Sequence, residues 1–372
     1  MGSLKGSGYL EEKYMKRAIE LARKGEGKVN PNPLVGAVIV KDDRIIAEGY
    51  HAAYGELHAE RHAFSKLKES AEGADMYVTL EPCCHYGKQP PCTKAIIENK
   101  IKNVYVGSSD PNSLVAGKGI KELRDAGINV VTDFMKEECD SLNPVFFHYI
   151  TTKTPYVLMK YAMTLDGKTA CDTGESKWVT GEKARSHVQE TRNLLKGIMV
   201  GVQTVINDNP LLTCRIEGGR NPVRIICDSR LRIPNDSQIV QTAKDIPVIV
   251  ATVSGDDKRI SELESYGVKI VQTGEDESGH VDLRDLMVKL GELKIDGILL
   301  EGGGTLNQSA LRQGIVNHVQ AYIAPKIFGG SGRYTPVRGE GVVTPDDAYM
   351  LTNMHVESYG EDVLIEYDIK KD

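Results

Sequence analysis

The chain has no apolar run approaching the ~18 residues that a membrane-spanning helix needs, so nothing in it predicts a helical span. Its first ten residues are rich in Gly and Ser and lack the apolar core of a secretion signal. Tryptophan occurs once, aromatic residues make up only 6%, and the net charge is -6 with no basic block. A strand-binding groove for nucleic acid needs aromatic platforms and a positive track. The balance therefore favours a small-molecule substrate and predicts no nucleic-acid or membrane partner. Cysteine is sparse: seven residues, an odd number, spread along 372 positions. That excludes a disulfide scaffold and suggests reduced thiols in a cytoplasmic protein, with two or three of them available to a metal. The dinucleotide fingerprint G-x-G-x-x-G is also missing, which argues against a Rossmann domain.

What is present is an ordinary globular composition, 40% hydrophobic and 26% charged, on a chain long enough for two domains. Strand-like and helix-like segments alternate throughout, the pattern of an α/β protein with helices layered on sheets. In the first part, helical spacing of Tyr14, Ala18, Leu21 and Ala22 precedes a stop at Gly25 and Gly27. Strands are expected at 35–40, 45–47, 76–80, 103–107 and 128–131, and helices at 58–67, 93–99 and 120–126. A polar stretch ending in Pro, Thr151 to Pro155, reads as a linker between domains 1–150 and 151–372. Beyond it come strands at 156–160, 197–201, 223–227, 247–251 and 297–300, with helices at 182–195, 283–292 and 305–312.

One constellation carries chemistry. His58-Ala59-Glu60 is followed by Pro82-Cys83 and later by Cys92. A structural zinc takes four protein ligands, whereas a catalytic zinc takes three and leaves one position for water. An H-x-E followed by P-C and a second thiol is the pattern of zinc-dependent base deaminases, in which the Glu shuttles protons without binding the metal. The second thiol does not stand at the usual spacing: Cys84, His85 and Cys92 all follow Cys83. Adjacent Cys83 and Cys84 are poorly placed to share one ion, while Cys83 and Cys92 can close a ring around the intervening loop. Helix N-termini at His58 and after Cys92 favour the thiolate form. The competing readings are a structural zinc module with a fourth ligand and a deaminase acting on nucleic acid.

The run Asn32 to Val38, then His58-Ala59-Glu60, then Thr79-Leu80-Glu81-Pro82-Cys83-Cys84-His85-Tyr86-Gly87-Lys88-Gln89-Pro90-Pro91-Cys92 resembles the bifunctional riboflavin-biosynthesis deaminase/reductase family. The widened Cys loop is that family's variant of the motif, although its members usually carry Ser where this chain has Cys84. The resemblance continues through Lys160, Leu165 to Lys168, Ser176-Lys177-Trp178, Asp208-Asn209-Pro210, Leu212 to Arg215 and Glu301-Gly302-Gly303. It implies an N-terminal cytidine-deaminase-like three-layer αβα domain and a C-terminal dihydrofolate-reductase-like α/β domain. The first would deaminate 2,5-diamino-6-ribosylamino-4(3H)-pyrimidinone 5′-phosphate with Zn2+. The second would reduce the ribosyl side chain with NADPH, and the family suggests a homo-oligomer.

The same resemblance distributes roles. His58, Cys83 and Cys92 would hold the metal, with Glu60 as proton shuttle. Asn32, His51, His85 and Lys88 would line the base pocket. Asp110 and Asn112 sit in a turn-rich stretch suited to ribose or phosphate. In the second domain, Lys160 and Asp208 lie beside expected strands and would hold hydroxyls or relay the proton that accompanies hydride transfer. Ser176, Arg192, Leu212, Arg215 and Glu301 match substrate positions. Ala162, Trp178, Thr204, Asp208, Ser229 and the triplet Gly302-Gly303-Gly304 match cofactor positions, with Ser229-Arg230 placed to read a 2′-phosphate.

Overall fold

The structure, a computed structural model, describes residues 4–86, 89–112 and 115–370. Two compact units divide the chain at 152/153.

In the first unit the order is α1 (Leu4–Arg23), β1 (Gly36–Lys41), β2 (Arg44–Tyr50), α2 (Ala59–Ser65), β3 (Asp75–Leu80), α3 (Cys92–Glu98), β4 (Asn103–Ser108), α4 (Lys118–Asp125), β5 (Asn129–Val131), α5 (Lys136–Asp140) and α6 (Pro144–Thr152). The strands form one sheet in the order β2-β1-β3-β4-β5. β1 runs antiparallel to β2 and β3, and β3, β4 and β5 are mutually parallel. Asp42 and Asp43 both adopt positive φ in the two-residue turn between β1 and β2, the backbone that a tight hairpin demands. Because side chains alternate across a strand, each strand feeds two cores. Ala37, Ile39, Met76, Val78, Val104 and Val106 pack with α2, α3 and α4 through Ala59, Ala63, Ile96 and Leu123. Val38, Val40 and Tyr77 face the other way, onto Tyr14, Met15, Ala18 and Leu21 of α1 and Cys139 of α5. The result is helix, sheet, helix: three layers.

The second unit comprises β6 (Tyr156–Thr164), α7 (Glu182–Leu194), β7 (Gly197–Gly201), α8 (Val202–Asp208), β8 (Val223–Cys227), α9 (Gln238–Gln241), β9 (Val248–Thr252), α10 (Asp257–Ser265), β10 (Lys269–Gln272), α11 (Leu283–Glu292), β11 (Gly297–Leu300), α12 (Gly304–Arg312), β12 (His318–Ala324), β13 (Leu351–Tyr359) and β14 (Asp362–Ile369). Its sheet has nine strands in the order β10-β9-β8-β7-β11-β6-β12-β14-β13. The first seven in that order are parallel, and β14 and β13 close the sheet antiparallel. Leu283, Leu286, Met287 and Leu290 of α11 and Ala310 of α12 cover one face; Ala184 and Val188 of α7 pack on Tyr322 and Leu364.

Three expectations need correcting. The presumed linker starting at Thr151 is partly helical, since α6 runs through Thr152 and stops at Lys153, which takes a left-handed φ of 61°. Asp208 does not lie beside a strand but ends the helix α8. Strands β10, β12, β13 and β14 and helices α5, α8, α9 and α10 are additions to the expected set.

Candidate active sites

The metal-type cluster is assembled from three backbone segments. β3 ends at Leu80 and delivers Glu81, Pro82 and Cys83. His58 is the N-cap of α2 and Glu60 lies in its first turn. α2 can lie against β2 because residue 49 is glycine: a Cβ there would sit 2.2 Å from the Ala59 carbonyl oxygen. Cys92 opens α3, and its backbone N–H donates to the Cys83 carbonyl at 3.0 Å and approaches the Cys83 sulfur at 3.4 Å. The loop thereby returns the second thiol to the first.

His58 Nδ1 lies 3.5 Å from Cys83 Sγ and 3.5 Å from Cys92 Sγ, and all three donor atoms fall within 4.8 Å of one another. A tetrahedral zinc with Zn–N near ~2.05 Å and Zn–S near ~2.3 Å requires an N···S separation of about 3.6 Å. The donor set fits zinc in both chemistry and spacing. Among the described residues this is the one such group, and neither Cys84 nor Glu60 belongs to it. Cys83 is pulled down to about 4 by hydrogen bonds from Cys92 and His58, and Cys92 is pushed up because it neighbours the Cys83 sulfur. His58 is raised by its hydrogen bond to Cys83. Glu60 is 4% exposed; burial raises its pKa and the nearby Cys83 charge adds to the effect.

Around this cluster, His51 is buried, with its ring 5.5 Å from that of His58 in an edge-on arrangement. Asn32 Nδ2 lies 3.1 Å from His51 Nε2 and the Leu57 carbonyl 3.0 Å from His51 Nδ1. The pattern fits a neutral ring protonated on Nδ1, and burial lowers the pKa of His51 accordingly. His85 is partly buried and its Nδ1 has no partner among the described residues, so it is an orphan that a ligand can satisfy. Asp110 is buried and pushed up to about 6 by that burial; its Oδ1 accepts from the Asn112 backbone N–H at 2.8 Å. Lys88 lies outside the described residues.

Glu81 had drawn no attention as a site residue, yet it organises this region. Oε1 accepts from the N–H groups of Gly119 (3.0 Å) and Ile120 (3.2 Å), and Oε2 from those of Gly117 (3.0 Å) and Asp110 (3.4 Å). It caps α4, whose own N-cap residue Gly117 supplies no side chain. Gly119 must be glycine, because a Cβ would stand 2.1 Å from the Pro82 carbonyl oxygen. Its place directly before Pro82-Cys83 was the available signal.

In the second unit, Lys160 on β6 is half-buried, its Nζ 5.6 Å from the Tyr322 ring centroid. Burial lowers its pKa and Glu301 opposes that shift. Burial alone would raise Glu301, but Arg192, Lys160 and Arg215 outweigh it and hold the carboxylate below its usual range. Arg192 Nη2 meets Glu301 Oε2 at 2.7 Å and Arg192 Nη1 donates to the Thr213 carbonyl at 3.1 Å. The Arg215 backbone N–H donates to Gln189 Oε1 at 3.1 Å. Leu212 is buried at a left-handed φ of 54°. Lys160, Glu301, Arg192 and Arg215 therefore form one charged group, while Ser176 is exposed.

A cleft of about 640 Å³ is lined by Thr204, Asp208, Ser229, Gly303 and Gly304 among the expected cofactor residues, and by Arg230. Ala162, Trp178 and Gly302 are not part of its lining. Trp178 is exposed, with the Arg185 guanidinium 4.5 Å over its ring. Arg232, His280, Tyr334 and Arg338, which sequence reasoning passed over, also line the cleft. They come from three separate segments whose convergence only the sheet order reveals. Arg338 reaches Thr305 Oγ1 at 3.3 Å at the start of α12. A helix N-terminus flanked by arginines suits a polyanion, so the residues fit the phosphates of a dinucleotide.

Both units of the chain match known proteins. Residues 9–108 match the family of the cytidine and deoxycytidylate deaminase zinc-binding region, and residues 155–365 match the RibD C-terminal domain. The riboflavin biosynthesis protein RibD of Actinobacillus pleuropneumoniae is 56% identical over 354 residues, covering 95% of this chain and 94% of that protein. RibD of Escherichia coli (strain K12) is 39% identical over 336 residues, covering 87% and 90%. Among solved structures, Acinetobacter baumannii RibD superposes with a TM-score of 0.86 at 34% identity, covering 98% of this chain and all of that one. A Thermotoga maritima diaminohydroxyphosphoribosylaminopyrimidine deaminase/5-amino-6-(5-phosphoribosylamino)uracil reductase gives 0.84 at 40% identity with the same coverage.

Proposed function

The chain belongs to the RibD family of bifunctional deaminase/reductase enzymes of riboflavin biosynthesis, and from that premise we propose how its two units divide the work. Residues 1–150 would deaminate 2,5-diamino-6-ribosylamino-4(3H)-pyrimidinone 5′-phosphate, and residues 151–372 would reduce the ribosyl group of the product. The observation that carries the first assignment is a three-donor set, His58, Cys83 and Cys92, beside a buried carboxylate that is not a member of it.

Bound zinc supplies Lewis acidity that makes water nucleophilic at neutral pH. Glu60 accepts a proton from the attacking water and passes it to the amine that leaves the ring carbon as ammonia. Its buried, raised carboxyl suits a group that must both take and give a proton. His51, fixed by Asn32 and the Leu57 carbonyl, presents a neutral edge to the base. His85, Lys88, Asp110 and Asn112 would hold the base rim and ribotide.

In the reductase the hydride belongs to NADPH, and the residues of the chain orient and protonate. Thr204, Asp208, Ser229 and Gly302 to Gly304 would hold the cofactor in the cleft, Arg230 reading its 2′-phosphate, with Ala162 and Trp178 beside the nicotinamide. Ser176, Arg192, Leu212 and Arg215 would grip the substrate, and Glu301 would set the charge of Lys160. Lys160, a half-buried ammonium, would deliver the proton as the ring-opened imine accepts hydride. Asp208 ends α8 and would hold cofactor hydroxyls. No described helix is long and apolar enough to cross a membrane.

The test is ammonia release from the diaminopyrimidine ribotide followed by NADPH oxidation, before and after chelation. Chelation should abolish the first step and leave reduction of pre-deaminated ribotide intact. Metal-independent ammonia release would refute the assignment.

A further inference from the structure

Arg61 follows Glu60 on α2, yet its side chain turns to the far arm of the cluster. Its Nε donates to the Pro90 carbonyl at 2.9 Å and its Nη2 to the Pro91 carbonyl at 2.7 Å. These are the two carbonyls immediately before Cys92, and Pro91 is the N-cap of the helix that Cys92 opens. One helix thus carries His58 at its N-cap, Glu60 in its first turn, and the guanidinium that grips the segment bearing the third donor.

The Cys83–Cys92 loop is fastened at other points as well. The Cys83 carbonyl accepts from the N–H groups of Cys92 and Thr93, and Gln89 Nε2 reaches the Gly55 carbonyl at a long 3.5 Å. Neither Pro90 nor Pro91 has a backbone N–H to tie itself down, so Arg61 supplies the donors for this stretch. A planar guanidinium meets two successive carbonyls as a rigid fork, and a lysine ammonium does not reproduce that geometry.

We propose that Arg61 is a positioning residue for the metal site: it clamps the Pro90-Pro91 arm onto α2 and so fixes Cys92 Sγ at its distance from His58 and Cys83. The inference rests on the zinc reading above. Groups that orient metal ligands typically contribute 10- to 100-fold in metal affinity.

The experiment loads full-length protein with zinc and follows zinc release to a chromophoric chelator. Arg61→Met, which keeps most of the side-chain stem, should release zinc at least tenfold faster than the parent. Arg61→Lys should fall between, because a compact ammonium does not span the two carbonyls as the planar guanidinium fork does. Arg44→Met, which breaks an exposed ion pair with Glu69 in the same unit, should leave the rate unchanged. NADPH-dependent reduction of the deaminated ribotide by Arg61→Met reports whether the chain still folds, and should match the parent. Release from Arg61→Met within twofold of the parent overturns the clamp, as does an equal acceleration in Arg44→Met. A parent chain that binds no zinc would instead strike at the metal reading itself, so the two failures are told apart.

Discussion

Glu81→Gln is the sharpest probe of the first unit. The carboxylate is 4% exposed and accepts four backbone N–H groups, two on each oxygen. Glutamine has the same shape but one oxygen. Whichever way the amide turns, its NH2 group opposes two N–H donors. The less costly orientation keeps the oxygen on Gly119 and Ile120 and abandons Gly117 and the longer contact from Asp110. An orphaned buried donor costs about 1–3 kcal/mol, and the surviving bonds lose charge assistance worth about 1 kcal/mol. The total is about 3 kcal/mol, taking the low end because the Asp110 contact is long. Since 1.4 kcal/mol is tenfold, the start of α4 should open roughly 100-fold more often. Hydrogen exchange measured on peptides covering residues 115–126 reads this opening directly. Protection within threefold of the parent would refute the idea that Glu81 holds α4 to the end of β3.

Two further outcomes follow. Cys92→Ser should abolish stoichiometric zinc binding and deamination, while Cys84→Ser should keep both, measured by metal analysis and ammonia release; zinc loss from Cys84→Ser would reassign the third ligand. The second concerns His318, which meets Asp368 at 2.8 Å and Glu366 at 3.3 Å. Burial lowers its pKa, but the two carboxylates outweigh burial and raise it. A raised histidine stabilises fully below its unfolded value near 6.5 and loses that contribution as pH climbs through the folded value. Glu366 is lowered, its burial outweighed by His318 and Gln320, so its contribution is present above the ordinary carboxylate range and fades as pH falls. The second unit should therefore lose stability as pH rises from 6 through the folded value of His318, read as a fall in melting temperature on the alkaline side. His318→Gln should flatten that slope; an unchanged slope would remove the pair from the account.

Much of this was legible in the residues, and the misses share a cause. β1 and β3 of the first sheet announce themselves because both faces are buried: Val38 and Ile39 are each fully enclosed, so the run is apolar. β13 is the reverse, exposed along nearly its whole length, and with no buried face it shows no apolar register. The zinc donors were readable because the chemistry demands particular residue types. Arg61 and Glu81 were not, because they act on backbone carbonyls and N–H groups, which every residue possesses. His280 and Arg338 enter the cleft from segments about 60 residues apart in sequence, and proximity of that kind depends on strand order.

That dependence has a regular form. In the first unit the candidate site residues Cys83 and Asp110 follow the C-termini of β3 and β4, and the capping residue Glu81 also follows β3. In the second unit Thr204 and Asp208 follow β7, Ser229 follows β8 and Glu301 follows β11. Parallel strands bring their C-terminal ends to one edge, where the chain must leave the sheet and helix N-termini gather. Such an edge offers free N–H groups, which attract thiolates, carboxylates and phosphates alike. A buried acid there, such as Glu81, consumes donors to build the scaffold. The open turn at Gly303-Gly304 leaves its donors for a ligand. Whether a strand end is structural or functional in this chain thus turns on whether a side chain of its own has already taken the N–H groups. On that criterion the start of α12 is open to a ligand and the start of α4 is not.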